Sequence, residues 1–165
     1  MLKTKFLIIF TLLVSLFVLQ GCGNDPIQKD LLNYLNTELP NVAAKEEKAG
    51  EAFDSVTGNN YSDDLALYDV LEAEVIPTYS DFVNDLEQIK PATPEVQKIH
   101  EQFISSANMQ LSGFIMIMSA IEKQDSAEFA TANEKLSSAR QMSREWETAL
   151  KQLADAHGVK INPPN

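Results

Sequence analysis

The stretch DSAEFATANEKLSSARQMSREWETALKQLADAHG, residues 125–158, decides the fold class. Phe129, Ala132, Leu136, Ala139, Ser143, Trp146, Leu150, Leu153 and His157 recur in alternating steps of three and four. That spacing marks one face of a helix; a strand would change sides at every residue. Asp125 followed by Glu128 reads as a capping-box-like start. Gly158 stands just past the end, where a left-handed residue commonly stops a helix. His157 in the last turn would complement the helix dipole.

Reading outward, the rest of the chain repeats the pattern three times. Residues 94–124 open with Thr93 and Pro94, a cap followed by a first-turn proline. Their seam is Val96, Ile99, Phe103, Ser106, Gln110, Gly113, Ile117 and Ala120. A further helix is predicted from Ser62, as N-cap, to Ile89 ahead of Pro91, with Leu65, Tyr68, Glu72, Val75, Tyr79, Phe82, Leu86 and Ile89 in its seam. Another is predicted over 27–57, stopped by Gly58, with Leu32, Leu35, Leu39, Val42, Glu46, Ala49, Phe53 and Val56 inward. Seams of period 3.5 on segments joined by short loops predict an all-α protein, an antiparallel up-down four-helix bundle over residues 27–158. At 1.5 Å per residue, each helix is about 45 Å long. Residues 159–165 form a C-terminal tail whose Pro163 and Pro164 exclude a helix.

The first 21 residues follow another logic. Lys3 and Lys5 precede an apolar run from Phe6 to Leu19, the length of a signal h-region and shorter than a typical spanning helix. Then come Leu19, Gln20, Gly21 and Cys22. This resembles the lipobox of bacterial lipoproteins. The resemblance implies a signal peptide over 1–21, cleavage between Gly21 and Cys22, diacylglyceryl transfer to the Cys22 sulfur, and a short tether over 22–26. An uncleaved signal anchor is the alternative. Two acyl chains anchor stably where one binds only marginally. The expected location is the outer face of the cell membrane, in a Gram-positive-type envelope. The ectodomain is similar to the uncharacterised small helical lipoproteins of Gram-positive bacteria.

Composition narrows the function classes. The chain is 44% hydrophobic with six glycines, so it is neither disordered nor collagen-like. Beyond residue 21 it carries 11 basic and 24 acidic side chains, a net of −13. Such a surface repels phosphates, so nucleic acid is not an expected partner. No catalytic motif, phosphate loop or cofactor signature appears, and Cys22 is the sole cysteine. Glu does not stand three residues before His100 or His157, so a di-metal carboxylate bundle is not expected. No enzyme, no cofactor and no metal centre are expected. The expected role is a non-enzymatic binding or structural module, with the membrane as one partner and a protein or a second copy as another. The alternative is a bundle that binds a small ligand or a metal.

Two features carry those readings. Glu46 and Glu72 break their seams at nearly the same height, beside Gly113; together they could hold a cation or polar ligand, or lie at the seam edge in water. Ile115, Met116 and Met118 belong to a band that is apolar on every side of its helix, so it offers a partner surface or lies deeper in the core. Pro40 and Pro77, in helix interiors at similar heights, predict paired kinks, either a hinge or plain curvature.

Overall fold

The computed structural model describes residues 25–161, which are helical without a strand. Residues 1–24 and 162–165, with Gly21 and Cys22 among them, lie outside the described residues. There are four long helices: α1 over 26–55, α2 over 64–88, α3 over Pro94–Lys123 and α4 over Ser126–Ala156. A single 3-10 turn, Gly58–Asn60, lies in the α1–α2 connection.

Both interior prolines are absorbed in one way. Proline has no N–H to give, and its ring collides with the carbonyl four residues earlier. Each helix widens into a π turn just ahead of its proline: Tyr34–Glu38 before Pro40, and Leu71–Val75 before Pro77. There the Leu39 N–H donates to the Tyr34 carbonyl and the Ile76 N–H to that of Leu71, each spanning five residues. A π turn holds one more residue than the α turn it replaces. The inward face on its N-terminal side therefore moves back by one position.

The expected seams fail where this shift acts. In α1, Leu31 is fully buried while Leu32, expected inward, is 42% exposed. In α2, Leu67 and Leu71 are buried in place of Tyr68 and Glu72. Leu65 is 68% exposed and Glu72 faces solvent. Beyond the prolines the expected faces hold, with Val42, Glu46, Ala49 and Phe53 in α1 and Tyr79, Phe82 and Leu86 in α2 buried.

The helix starts also differ in detail. Asp63, not Ser62, caps α2, its carboxylate accepting the Ala66 N–H at 2.9 Å. Asp125 caps α4 as expected, accepting from Ala127 and Glu128. Glu128 does not reach back to complete a capping box; it accepts instead from Ser119 and Lys123 of α3. Thr93 stands at the N-cap of α3, but its hydroxyl donates to buried Asp30 of α1. The Asp30 carboxylate also accepts the backbone N–H groups of Ala92 and Thr93, at 3.1 and 2.7 Å. A carboxylate from a different helix thus satisfies donors at the start of α3.

The helices pack most extensively as α3 on α4 and α1 on α2. Gly113 makes the first contact close, because a Cβ there would lie 2.4 Å from Leu136 Cδ2. Phe103 stacks on Trp146 at 4.1 Å, meets Phe82 of α2 at 5.9 Å, and lies just under one turn from the Tyr34–His100 contact. Phe114 joins Phe53 of α1 to Tyr79 of α2. Because α3 touches α1, α2 and α4, its apolar residues spread around its circumference. It is long and apolar enough to cross a bilayer by length and composition, yet it is built into this core. At the far end of the chain Gly158 turns with φ +68°, tucking Val159 against the core.

The face shift has a direct consequence. Leu71→Ala should cost about 2–5 kcal/mol as a core truncation, whereas Glu72→Ala should stay within about 0.5 kcal/mol. Urea denaturation of the two variants measures this; the reverse ranking would put Glu72 back in the seam.

Candidate functional site

One end of the helix array is closed by hydrogen bonds and the other is open. At the closed end Asp25 caps α1 and lies 2.7 Å from His157 Nδ1. Gln28 donates its amide to the His157 carbonyl at 2.8 Å, and Asp30 ties α1 to the start of α3. The His157 hydrogen bond, helped by the Gln28 and Ile27 N–H groups, holds the Asp25 carboxyl below its usual range.

At the open end, where α1 and α3 finish and α2 and α4 begin, lies a groove of about 840 Å³. Phe53, Leu67, Ile121, Phe129 and Leu136 give it an apolar lining; Thr57, Tyr61, Asp64 and Asn133 add polar groups. Arg140 lies at its α4 side, where burial and neighbouring Arg144 lower its pKa. The 56–63 connection contributes Thr57, Gly58 and Tyr61 to the groove wall. Gly58, at φ +60°, makes the turn that starts this connection. Tyr61 donates its hydroxyl to Asp64 at 2.8 Å and stays 48% exposed. This volume and largely apolar lining are those of a ligand cleft.

The segments that line the groove are acidic on balance. Residues 51–72 hold six carboxylates and no basic side chain. Residues 117–140 hold four carboxylates and three basic residues, Lys123, Lys135 and Arg140, and Lys123 pairs with Glu128. Sequence reasoning missed this site, because Phe129 and Leu136 read as ordinary seam positions. The usable signal was the run 51–72, acidic throughout yet carrying Tyr61 and Leu65.

The expected Glu46–Glu72 layer does not form. Glu46 is buried and Glu72 is exposed, for the reason already given at the π turn. The carboxylate that acts on Glu46 is Glu147 of α4. Burial first, and Glu147 second, push the Glu46 carboxyl up to about 8. Its Oε2 is buried without a hydrogen-bond partner. Burial, and then Glu46, raise the Tyr79 hydroxyl well above its usual value. Among the described residues no three His, Cys, Asp or Glu side chains converge as a metal site would require.

The apolar band of α3 divides. Ile115 is 46% exposed, while Met116 and Met118 are half-buried and pack on the core. The exposed surface expected here shrinks to a single side chain. His100, by contrast, is a polar interior residue, with Nδ1 3.1 Å from the Tyr34 hydroxyl and Nε2 buried without a partner. Burial lowers its pKa, against the carbonyls of Leu86 and Ile89 that favour the charged form. Comparison with protein families, with curated proteins and with solved structures gives no match for this chain.

Glu46 sets a pH dependence whose sign follows from its raised pKa. The folded state holds the proton up to about pH 8, whereas the unfolded chain releases it near the ordinary carboxyl value of 4.5. Stability should therefore fall as pH rises from about 4.5 to 8 and level off above. At 1.36 kcal/mol per pKa unit, the loss over this window is up to about 5 kcal/mol. Glu46→Gln should flatten this slope and raise the melting temperature at pH 8, as read by thermal melts across pH. An unchanged slope would mean that Glu46 is solvated.

Proposed function

We propose that the chain is a lipoprotein held on the outer face of the cell membrane through Cys22, and that it works there as a non-enzymatic binding module. Its helices form an antiparallel up-and-down bundle in this reading, and the groove at the end away from the lipid receives the partner. The bundle order is supported by contacts that climb one helix and descend the next. Lys45 pairs with Asp85 and Lys48 with Glu74; Phe82 meets Phe103 while Tyr79 meets Phe114. Between α3 and α4, Phe103 meets Trp146 and Ser106 meets the Ala139 carbonyl.

The observation that carries the reading is the Asp25–His157 clasp. Asp25 follows Cys22 by three residues, a reach of about 10 Å even when extended. A lipid on Cys22 would hold the clasped end against the headgroups. The groove lies at the other end of α1, about 45 Å away at 1.5 Å per residue. A site raised that far from the surface suits a partner approaching from outside the cell. The groove's volume also suits a small apolar ligand, which keeps the small-ligand alternative at this place and removes it from Glu46 and Glu72.

Metabolic labelling with a fatty-acid probe should mark the wild-type chain and not Cys22→Ala, which should leave the membrane fraction. A photo-crosslinker at Tyr61 should capture a partner on intact cells, while one at Lys29, beside the clasp, should not. Equal labelling of both proteins would refute the anchor, and equal capture from both positions would refute the groove.

A further inference from the structure

We propose that the groove at the open end binds a positively charged, amphipathic peptide segment. The inference rests on the reading of that groove as the partner site and names the chemistry of the partner.

Three observations converge. The lining is apolar and roomy enough for several large side chains, with Phe53, Leu67, Phe129 and Leu136 facing it. At the same end Tyr61 and Leu65 are two of the four large apolar residues left exposed among the described residues. Such residues beside an open cleft mark a contact surface. The segments that build this end, residues 51–72 and 117–140, carry ten carboxylates against Lys123, Lys135 and Arg140.

Glu128 pairs with Lys123, whereas the capping and rim carboxylates are held by neutral donors. Asp63 and Asp125 accept backbone N–H groups as helix caps; Asp64 and Glu122 accept from Tyr61 and Tyr68. None of those donors carries a positive charge, so the negative field remains. Such a field over low-dielectric walls attracts cations and rejects anions. An anionic amphiphile would gain from the lining and lose at the rim. A small ligand with one positive charge would use one carboxylate and leave the others without a role. A peptide helix with apolar residues at i, i+3 or i+4 and i+7 and Lys or Arg on its flanks matches lining and rim together. Arg140 is the one cation in the lining, exposed on its α4 side. The distance from the lipid matters too. Anionic headgroups attract basic peptides, but at about 45 Å the groove lies beyond several Debye lengths of about 8 Å.

The test uses the full lipidated chain in phosphatidylcholine nanodiscs, with empty discs subtracted. Fluorescently labelled amphipathic Leu/Lys, Leu/Glu and Leu/Gln peptides are compared by anisotropy. The Leu/Lys peptide should bind, and its affinity should drop about tenfold or more between 50 and 300 mM salt, as expected for several screened ion pairs. Asp64→Lys combined with Glu122→Lys should weaken it by a similar factor, and Phe129→Ser should weaken it without changing the salt slope. If Phe129→Ser unfolds by circular dichroism, the exposed rim pair still decides the matter. Equal binding of the Leu/Gln or Leu/Glu peptide, an unchanged rim variant, or no binding of the Leu/Lys peptide would overturn the proposal. The last result together with productive crosslinking from Tyr61 would overturn the partner's charge class alone; with no crosslinking from Tyr61 the groove itself would fail.

Discussion

Neither Pro40 nor Pro77 can donate a backbone hydrogen bond, yet each stands inside a helix that must run unbroken past its neighbours. The widened turn before each proline resolves this conflict by letting the preceding N–H reach back five residues. The extra residue rotates everything N-terminal to it by one position. Leu31 and Leu71 enter the core as a result, Leu32 and Glu72 leave it, and Leu65 is stranded on the surface at the start of α2. That last displacement adds an apolar residue to the open end. A residue of helix geometry therefore connects Pro77 to the apolar character of the open end.

The interior polar groups divide along the same axis. Near the clasped end Asp30 is fully used, accepting three hydrogen bonds from the start of α3. Buried and satisfied, such a carboxylate fixes one arrangement of helices. Farther along, Glu46 is buried with an oxygen unmatched, and His100 keeps an unmatched ring nitrogen. Groups of this kind lower stability by roughly 1–3 kcal/mol each. Glu46 limits that loss by keeping its proton, at the expense of stability in alkaline conditions. The stacked pair Phe103 and Trp146, with Phe82 across from them, supplies the apolar contact around which these polar groups are held.

The helices are held tightly at one end and leave a cleft at the other. Asp25, Gln28 and Asp30 hold the first turn of α1 in place.

Sequence alone determined the helical class, the four segments and most of their ends, because a period near 3.6 and capping residues such as Asp125 are local properties. The burial of Trp146, Phe103, Tyr79 and Phe53 was legible for the same reason. Counting in threes and fours cannot register a π turn, which follows from a proline's lost hydrogen bond and the packing that keeps the helix continuous. Glu72 was therefore assigned inward and Leu71 was passed over. The Asp30 link joins residues 62 and 63 positions apart, and the Asp25–His157 clasp spans 132. No local pattern announces contacts of that range. The groove belongs to the tertiary structure as well: Phe53, Leu67, Phe129 and Leu136 look like any core residues, and only the packing of the helix ends brings them to one cleft.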